Sequence, residues 1–159
     1  MEPGAVTGAV GVAPAAGAVA AAAAGSLLSS TPLFRGVGAP RKPPLFTGAP
    51  LELGAASFDK HVGRSHIPVV VDFWAPWCGP CHQMAPAFEH AASQLEPDFR
   101  LAKVDTQAVH SLAERFNIRS IPTLALFQGG REVARQTGAM SAPDIVRWVQ
   151  AQALARNLG

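Results

Sequence analysis

Two residues in this chain can do redox chemistry, and they are its only cysteines, Cys78 and Cys81. They lie in the run Trp74-Ala75-Pro76-Trp77-Cys78-Gly79-Pro80-Cys81-His82. On a helix, positions i and i+3 share one face, so the two sulfurs come close enough to close a small ring. If a helix opens near Cys78, its first amide groups lack partners inside the helix and point at the sulfur. Those donors and the positive end of the helix dipole favour thiolate over thiol. Thiolate is the attacking species in disulfide exchange. Cys78 is therefore the candidate nucleophile, and Cys81 the candidate thiol that resolves the mixed disulfide. Gly79 and Pro80 separate them, and Pro80 falls in the first turn, where its missing N–H costs nothing.

The same residues fit two other chemistries less well. As a zinc half-site the pair would supply two of the four ligands that zinc needs, and no second cysteine pair exists, so no metal is expected. Cys78-Gly79-Pro80-Cys81-His82 also spells the attachment motif of c-type haem. That reading needs export and an axial partner to His82, for which Met140 is the candidate.

The elements around the cysteines read as a strand, turn and helix. Pro68 to Trp74 is apolar on both faces, as buried parallel strands are. Asp72 interrupts it six residues before Cys78. A carboxylic acid at that place, its pKa raised by desolvation, could exchange a proton with Cys81 as it attacks. Cys78 to about Leu95 reads as a helix that Pro86 should kink. Upstream, Leu51 to Leu53 is a short strand, and Ser57 can cap a helix to about Ser65. Downstream come a strand from Phe99 to Asp105 and a short helix from Ala108 to Phe116. Thr123 to Phe127 and Glu132 to Gln136 flank Gly129-Gly130 as an antiparallel hairpin. Ser141 caps the last helix, with Asp144 as the reciprocal acid. Ile145, Val146, Trp148, Val149 and Leu154 form its apolar face.

Trp74 through Cys81 resembles the active-site signature of thioredoxin. The likeness continues through Lys103-Val104-Asp105, Phe116-Asn117-Ile118-Arg119-Ser120-Ile121-Pro122-Thr123, Phe127-Gln128-Gly129-Gly130 and Gly138-Ala139, covering roughly residues 51 to 156. The resemblance implies an α/β thioredoxin fold: a mixed central sheet flanked by helices, with a cis-proline loop beside the Cys-Gly-Pro-Cys motif. It implies that Ile121-Pro122 is the cis proline bond, which leaves the Ile121 backbone free to pair with an extended substrate. Trp77, Ile121, Pro122, Gly138 and Ala139 would then form a shallow substrate-binding surface, with Trp74 packed beneath it. Lys103 would lie close to Asp72. His82 departs from the Lys or Arg more usual after the second cysteine, which makes stabilisation of the thiolate there pH-dependent. The implied activity is that of a dithiol–disulfide oxidoreductase reducing protein disulfides. It would serve cellular redox homeostasis and electron transport, with no bound cofactor. Electrons would come from NADPH through a thioredoxin reductase, to a monomer in the cytoplasm. One rival is an interaction module whose dithiol clamps a partner without turnover. Another is an exported thiol oxidoreductase.

The totals agree. A length of 159 residues suits one domain plus an appendage. The net charge of +2 is small, which argues against nucleic acid as a partner. That excess lies before residue 51, and the rest balances ten basic against ten acidic residues. Two cysteines at redox spacing fit a reducing compartment. Residues 1 to 30 contain eleven Ala and five Gly. A signal peptide would carry Lys or Arg near its start, whereas the first basic residue is Arg35. Ala and Gly are weakly apolar, so a membrane-spanning helix is a poor reading as well. Residues 1 to 50 read as a low-complexity, disordered tail and linker, and 51 to 159 as the thioredoxin domain. Leu45 and Phe46 could dock on the domain edge. From Pro44 onward the chain resembles the thioredoxins that carry an N-terminal zinc ribbon. Residues 1 to 43 nevertheless contain neither cysteine nor histidine.

Overall fold

A computed structural model describes residues 46 to 157. The expectations for residues 1 to 45, the disordered tail among them, lie outside the described residues. The order is β1 (Leu51–Glu52), α1 (Ala55–Phe58, continued by a π turn over Asp59–Gly63), β2 (Val69–Trp74), α2 (Gly79–Leu95), β3 (Arg100–Asp105), α3 (His110–Arg115), β4 (Thr123–Gln128), β5 (Arg131–Thr137) and α4 (Ala142–Arg156). The five strands form one mixed sheet in the order β1-β3-β2-β4-β5. β3 pairs parallel with β1 and β2, β2 pairs antiparallel with β4, and β4 with β5.

β2 is central because its residues can be buried on both sides. Val69, Val71 and Phe73 enter one core with Phe58, Leu112 and Phe127. Val70 enters the other, where Met84 and Phe88 of α2 meet Ile145 and Val149 of α4. This alternation is the two-residue period of a strand. It places Asp72 on the Val70 face, the side that α2 covers. The opposite core holds an aromatic cluster: Phe116 lies 5.2 Å from Phe58 and 5.1 Å from Phe127, in tilted and edge-on geometries.

Turn chemistry closes the hairpin. Gly129 and Gly130 carry φ of +55° and +81°, the left-handed values that a two-residue turn requires. A Cβ on Gly130 would also lie 3.1 Å from the Gly63 Cα. α2 runs unbroken through Pro86, whose ring removes the donor that would pair with the His82 carbonyl. Phe46 sits under the Arg100 guanidinium at 4.8 Å, and the Gly48 amide donates to Glu96 Oε2 at 3.0 Å. The chain is therefore anchored on the domain before β1 begins.

Three local expectations are corrected. Gly54, not Ser57, is the N-cap of α1. The Ser57 hydroxyl reaches back to accept the Gly54 amide at 2.9 Å, as a third helical residue does in a reciprocal cap. α3 starts two residues later than expected, because Asp105 Oδ1 accepts the Gln107 and Ala108 amides at 2.8 and 3.2 Å and holds them in a turn. Leu154 does not belong to the buried face of α4. It is 80% exposed, and Ala153 beside it is buried instead. At the other end Ser141 does cap α4, but its hydroxyl also donates to Asp144 Oδ2 at 2.5 Å.

These packings separate two substitutions. Phe88→Ala, at a fully buried site, should lower unfolding stability by about 3–5 kcal/mol. Leu154→Ala should stay within about 0.5 kcal/mol of the parent. Urea denaturation followed by tryptophan fluorescence measures both.

Candidate active site

The two cysteines meet at the junction of β2 and α2. Cys78 is the N-cap of α2, with extended backbone angles, and Gly79 and Pro80 fill the first helical positions. The Cys81 amide donates to Cys78 Sγ at 3.2 Å. The expected use of orphan helix amides is thus realised on the first sulfur. The Cys78 amide donates back to the Ala75 carbonyl at 3.1 Å, closing the turn that ends β2. The sulfurs are joined as a disulfide across a Cα–Cα distance of 5.3 Å, so the structure holds the oxidised state. Both cysteines are buried, while Trp77 beside them is 71% exposed.

The loop before β4 lies against this pair. Cys78 Sγ is 3.9 Å from the Ile121 carbonyl oxygen, and Ile121 packs on Cys78, Cys81 and Ala75. The Ile121–Pro122 bond is cis, as the resemblance implied. The Gly138 amide donates to the Pro122 carbonyl at 2.9 Å, with Gly138 at φ +101°. The expected surface residues are not equivalent, however. Trp77 and Ile121 line an open groove of about 410 Å³, with Thr106, His110, Asn117 and Arg119 along it. Gly138 and Ala139 are not among its lining residues, and Pro122 is buried rather than exposed. The polar residues of this groove escaped the sequence reading. The one local signal was Asn117, whose positive φ of 53° marks the bend that follows α3.

Asp72 is 1% exposed, and its Oδ1 has no hydrogen-bond partner among the described residues. Burial raises its pKa from 3.8 to about 7; the nearby Lys103 ammonium works against that rise and Glu52 adds to it. Lys103 is the β3 register partner of Asp72. Its Nζ stands 4.7 Å above the Trp74 ring and 3.9 Å from Glu52 Oε1. Trp74 is only half-buried. His82 lies next to Cys81, and its Nε2 is 2.6 Å from the Pro76 carbonyl oxygen. That ring meets Trp74 edge-on at 6.1 Å. Among the described residues no group of three His, Cys, Asp or Glu could hold a metal ion.

The Thioredoxin family model matches residues 49–151. The chain belongs to the thioredoxin family. Thioredoxin C-3 of Corynebacterium nephridii is 44% identical over 103 residues, 65% of this chain and 70% of that protein. The chloroplastic thioredoxin Y of Oryza sativa subsp. japonica is 33% identical over 138 residues, 83% of this chain and 82% of that one. A bifunctional thioredoxin reductase/thioredoxin of Mycobacterium leprae (strain TN) is 43% identical over 100 residues, 63% of this chain and 22% of that protein. The fold, the joined cysteine pair and these relatives make this thioredoxin-family chain a dithiol–disulfide oxidoreductase. Among the described residues, no helix is long and apolar enough to cross a membrane.

The raised pKa of Asp72 has a stability consequence with a definite sign. The folded state binds the Asp72 proton more tightly than the unfolded chain does. Stability therefore falls as pH rises from about 4 to the folded-state value of about 7, and the penalty is complete above it. Asp72→Asn should flatten that slope. Above pH 7 it should raise unfolding stability by up to about 4 kcal/mol, the equivalent of the shift. Urea unfolding of the oxidised protein across that pH range reads both effects.

Proposed function

We propose that the chain reduces disulfides of protein substrates, with Cys78 as the nucleophile and Cys81 as the resolving thiol. The observation that carries this reading is the Cys81 amide directed at Cys78 Sγ at the start of α2. A donor there favours the negative sulfur, which is the attacking species. In the reduced protein the Cys78 thiolate attacks one sulfur of a substrate disulfide. The substrate S–S bond breaks, a mixed disulfide forms, and the other substrate sulfur departs as thiolate and takes up a proton. Cys81 then gives its proton to the Asp72 carboxylate and attacks Cys78 Sγ. The second substrate sulfur is expelled and the Cys78–Cys81 disulfide closes. Two electrons pass from the dithiol to the substrate.

Each remaining group has a role in this scheme. Gly79 and Pro80 set the short ring. Burial keeps Asp72 near neutrality, where it can accept and return a proton. The substrate lies extended across Ile121 and Pro122 and pairs with the Ile121 backbone. Trp77, Gly138 and Ala139 flank it, and the Trp77–Ile121 groove takes one side of it. The recharging partner is a thioredoxin reductase drawing on NADPH; the fused relative of Mycobacterium leprae, named for both activities, supports that pairing. No bound cofactor, metal, nucleic acid or membrane is required, and the chain works as a monomer in the cytoplasm, in redox homeostasis and electron transport. The catalytic unit is the domain from residue 51 on, without a zinc ribbon.

Two experiments test this. Cys81→Ser should lose turnover in insulin reduction yet accumulate mixed disulfides, while Cys78→Ser should lose both. Trapping by Cys78→Ser would reverse the roles. Deleting residues 1 to 43 should leave insulin reduction unchanged and shift the melting temperature by less than about 5 °C. Elemental analysis of the full chain should find no stoichiometric zinc.

A further inference from the structure

Asp72 is one member of a row of charges. Its register partner on β3 is Lys103, and Lys103 is in turn the partner of Glu52 on β1. Register partners project to the same face of a sheet, so one cation stands between two carboxyl groups on three adjacent strands. The cation is not shared evenly. Lys103 Nζ lies 3.9 Å from Glu52 Oε1 and 4.7 Å above the Trp74 ring, while Asp72 Oδ1 has no hydrogen-bond partner among the described residues.

Other elements do not resolve this competition. β4 faces Asp72 with Leu124. On the helices covering that face, His82, Glu89, His90, Arg147 and Arg156 are exposed. Asp144 is bound to Ser141 and Arg147. The cysteines of α2 are joined and do not titrate in this state.

We propose that Glu52 is a positioning residue for the reaction: it holds the Lys103 ammonium at the sheet edge, against the Trp74 face, and so keeps Asp72 free to exchange a proton with Cys81. The inference rests on the proton-exchange reading of Asp72 given above. Lysine carries its charge on a flexible four-carbon stem. Released from Glu52, Lys103 has one carboxyl group left within the row. That group is buried, where opposite charges attract more strongly than in water. Pairing would favour ionised Asp72, leaving a weaker base for the Cys81 proton. The Lys103 side chain is 15% exposed and that of Glu52 65%. With Glu52 mostly in solvent and the contact at the long limit of an ion pair, it contributes little to stability, so its loss leaves the fold intact.

The test is a cycle read at Asp72 itself. The Asp72 carboxyl is titrated by NMR in the oxidised full-length protein, where neither cysteine interferes, in the parent, Glu52→Gln, Lys103→Met and the double variant. Glu52→Gln should lower the Asp72 midpoint by roughly half a pH unit, a threefold change in proton affinity. The acid limb of the pH profile for insulin reduction should move down with it. In the Lys103→Met background the same substitution should move the midpoint far less. No shift in the parent background overturns the proposal. An equal shift in both backgrounds also overturns it, because Glu52 would then act by direct repulsion and not through Lys103. Asp72→Asn reads the underlying assumption separately. An unchanged reduction rate there, with the midpoint shift intact, overturns the proton-exchange reading and leaves the hold on Lys103 standing.

Discussion

The contact on which the site depends is the hydrogen bond from the Cys81 amide to Cys78 Sγ. It exists because a strand buried on both sides ends in a tight turn directly before a helix begins. A helix start offers amides that no carbonyl inside the helix can satisfy. Here one of them is spent on a sulfur. The Cys78 amide to Ala75 carbonyl bond fixes the turn, and Ile121 closes over the pair from the neighbouring loop. Displacing any of these would leave two cysteines at the right spacing without the donor that favours a thiolate at one of them.

The sheet supplies rigidity and also the exception to its own pattern. β2 is held by β3 on one side and β4 on the other, and each face is capped by a separate apolar core. Asp72 breaks that pattern in the strand leading to the cysteines. An unpaired buried carboxyl destabilises a fold, and its proton affinity rises until it stands near neutrality. Such a group is poorly suited to holding a strand in place and well suited to handling a proton. At this one residue the sequence gives up stability for a carboxyl group whose proton affinity stands near neutrality.

The exposed surface beside the cysteines is shaped by different forces. Trp77 stays exposed beside buried cysteines, leaving an amphipathic ring free to meet another protein. The groove beyond it is built from the bend after α3, where Asn117 takes a left-handed conformation and Arg119 Nε donates to its side chain at 3.0 Å. Arg135 of β5 clamps the same bend by donating to the Phe116 carbonyl at 2.6 Å. The groove is a consequence of how this loop is tied down, which accounts for its mixed polar lining.

What the sequence determined by itself was local. The order of elements followed from periodicity, from Gly129-Gly130 and from Ser141. The redox pair followed from spacing alone, and the buried acid from a single polar residue in an apolar strand. Local misreadings were also local in cause: Ser57 satisfies a cap from inside the helix, and Asp105 delays α3 by binding two amides that would otherwise start it. The helical period itself puts Ala153 on the face of Ile145 and Val149, eight and four residues after them, and turns Leu154 away from it; the misreading of Leu154 came from weighing side-chain size above period. The closeness of Lys103 to Asp72 was implied by the resemblance, but tertiary structure alone added Glu52 to the row. These residues are far apart in the chain and meet only because parallel strands in register bring distant residues side by side. Parallel pairing leaves no turn to announce it, so no local pattern could have carried that information.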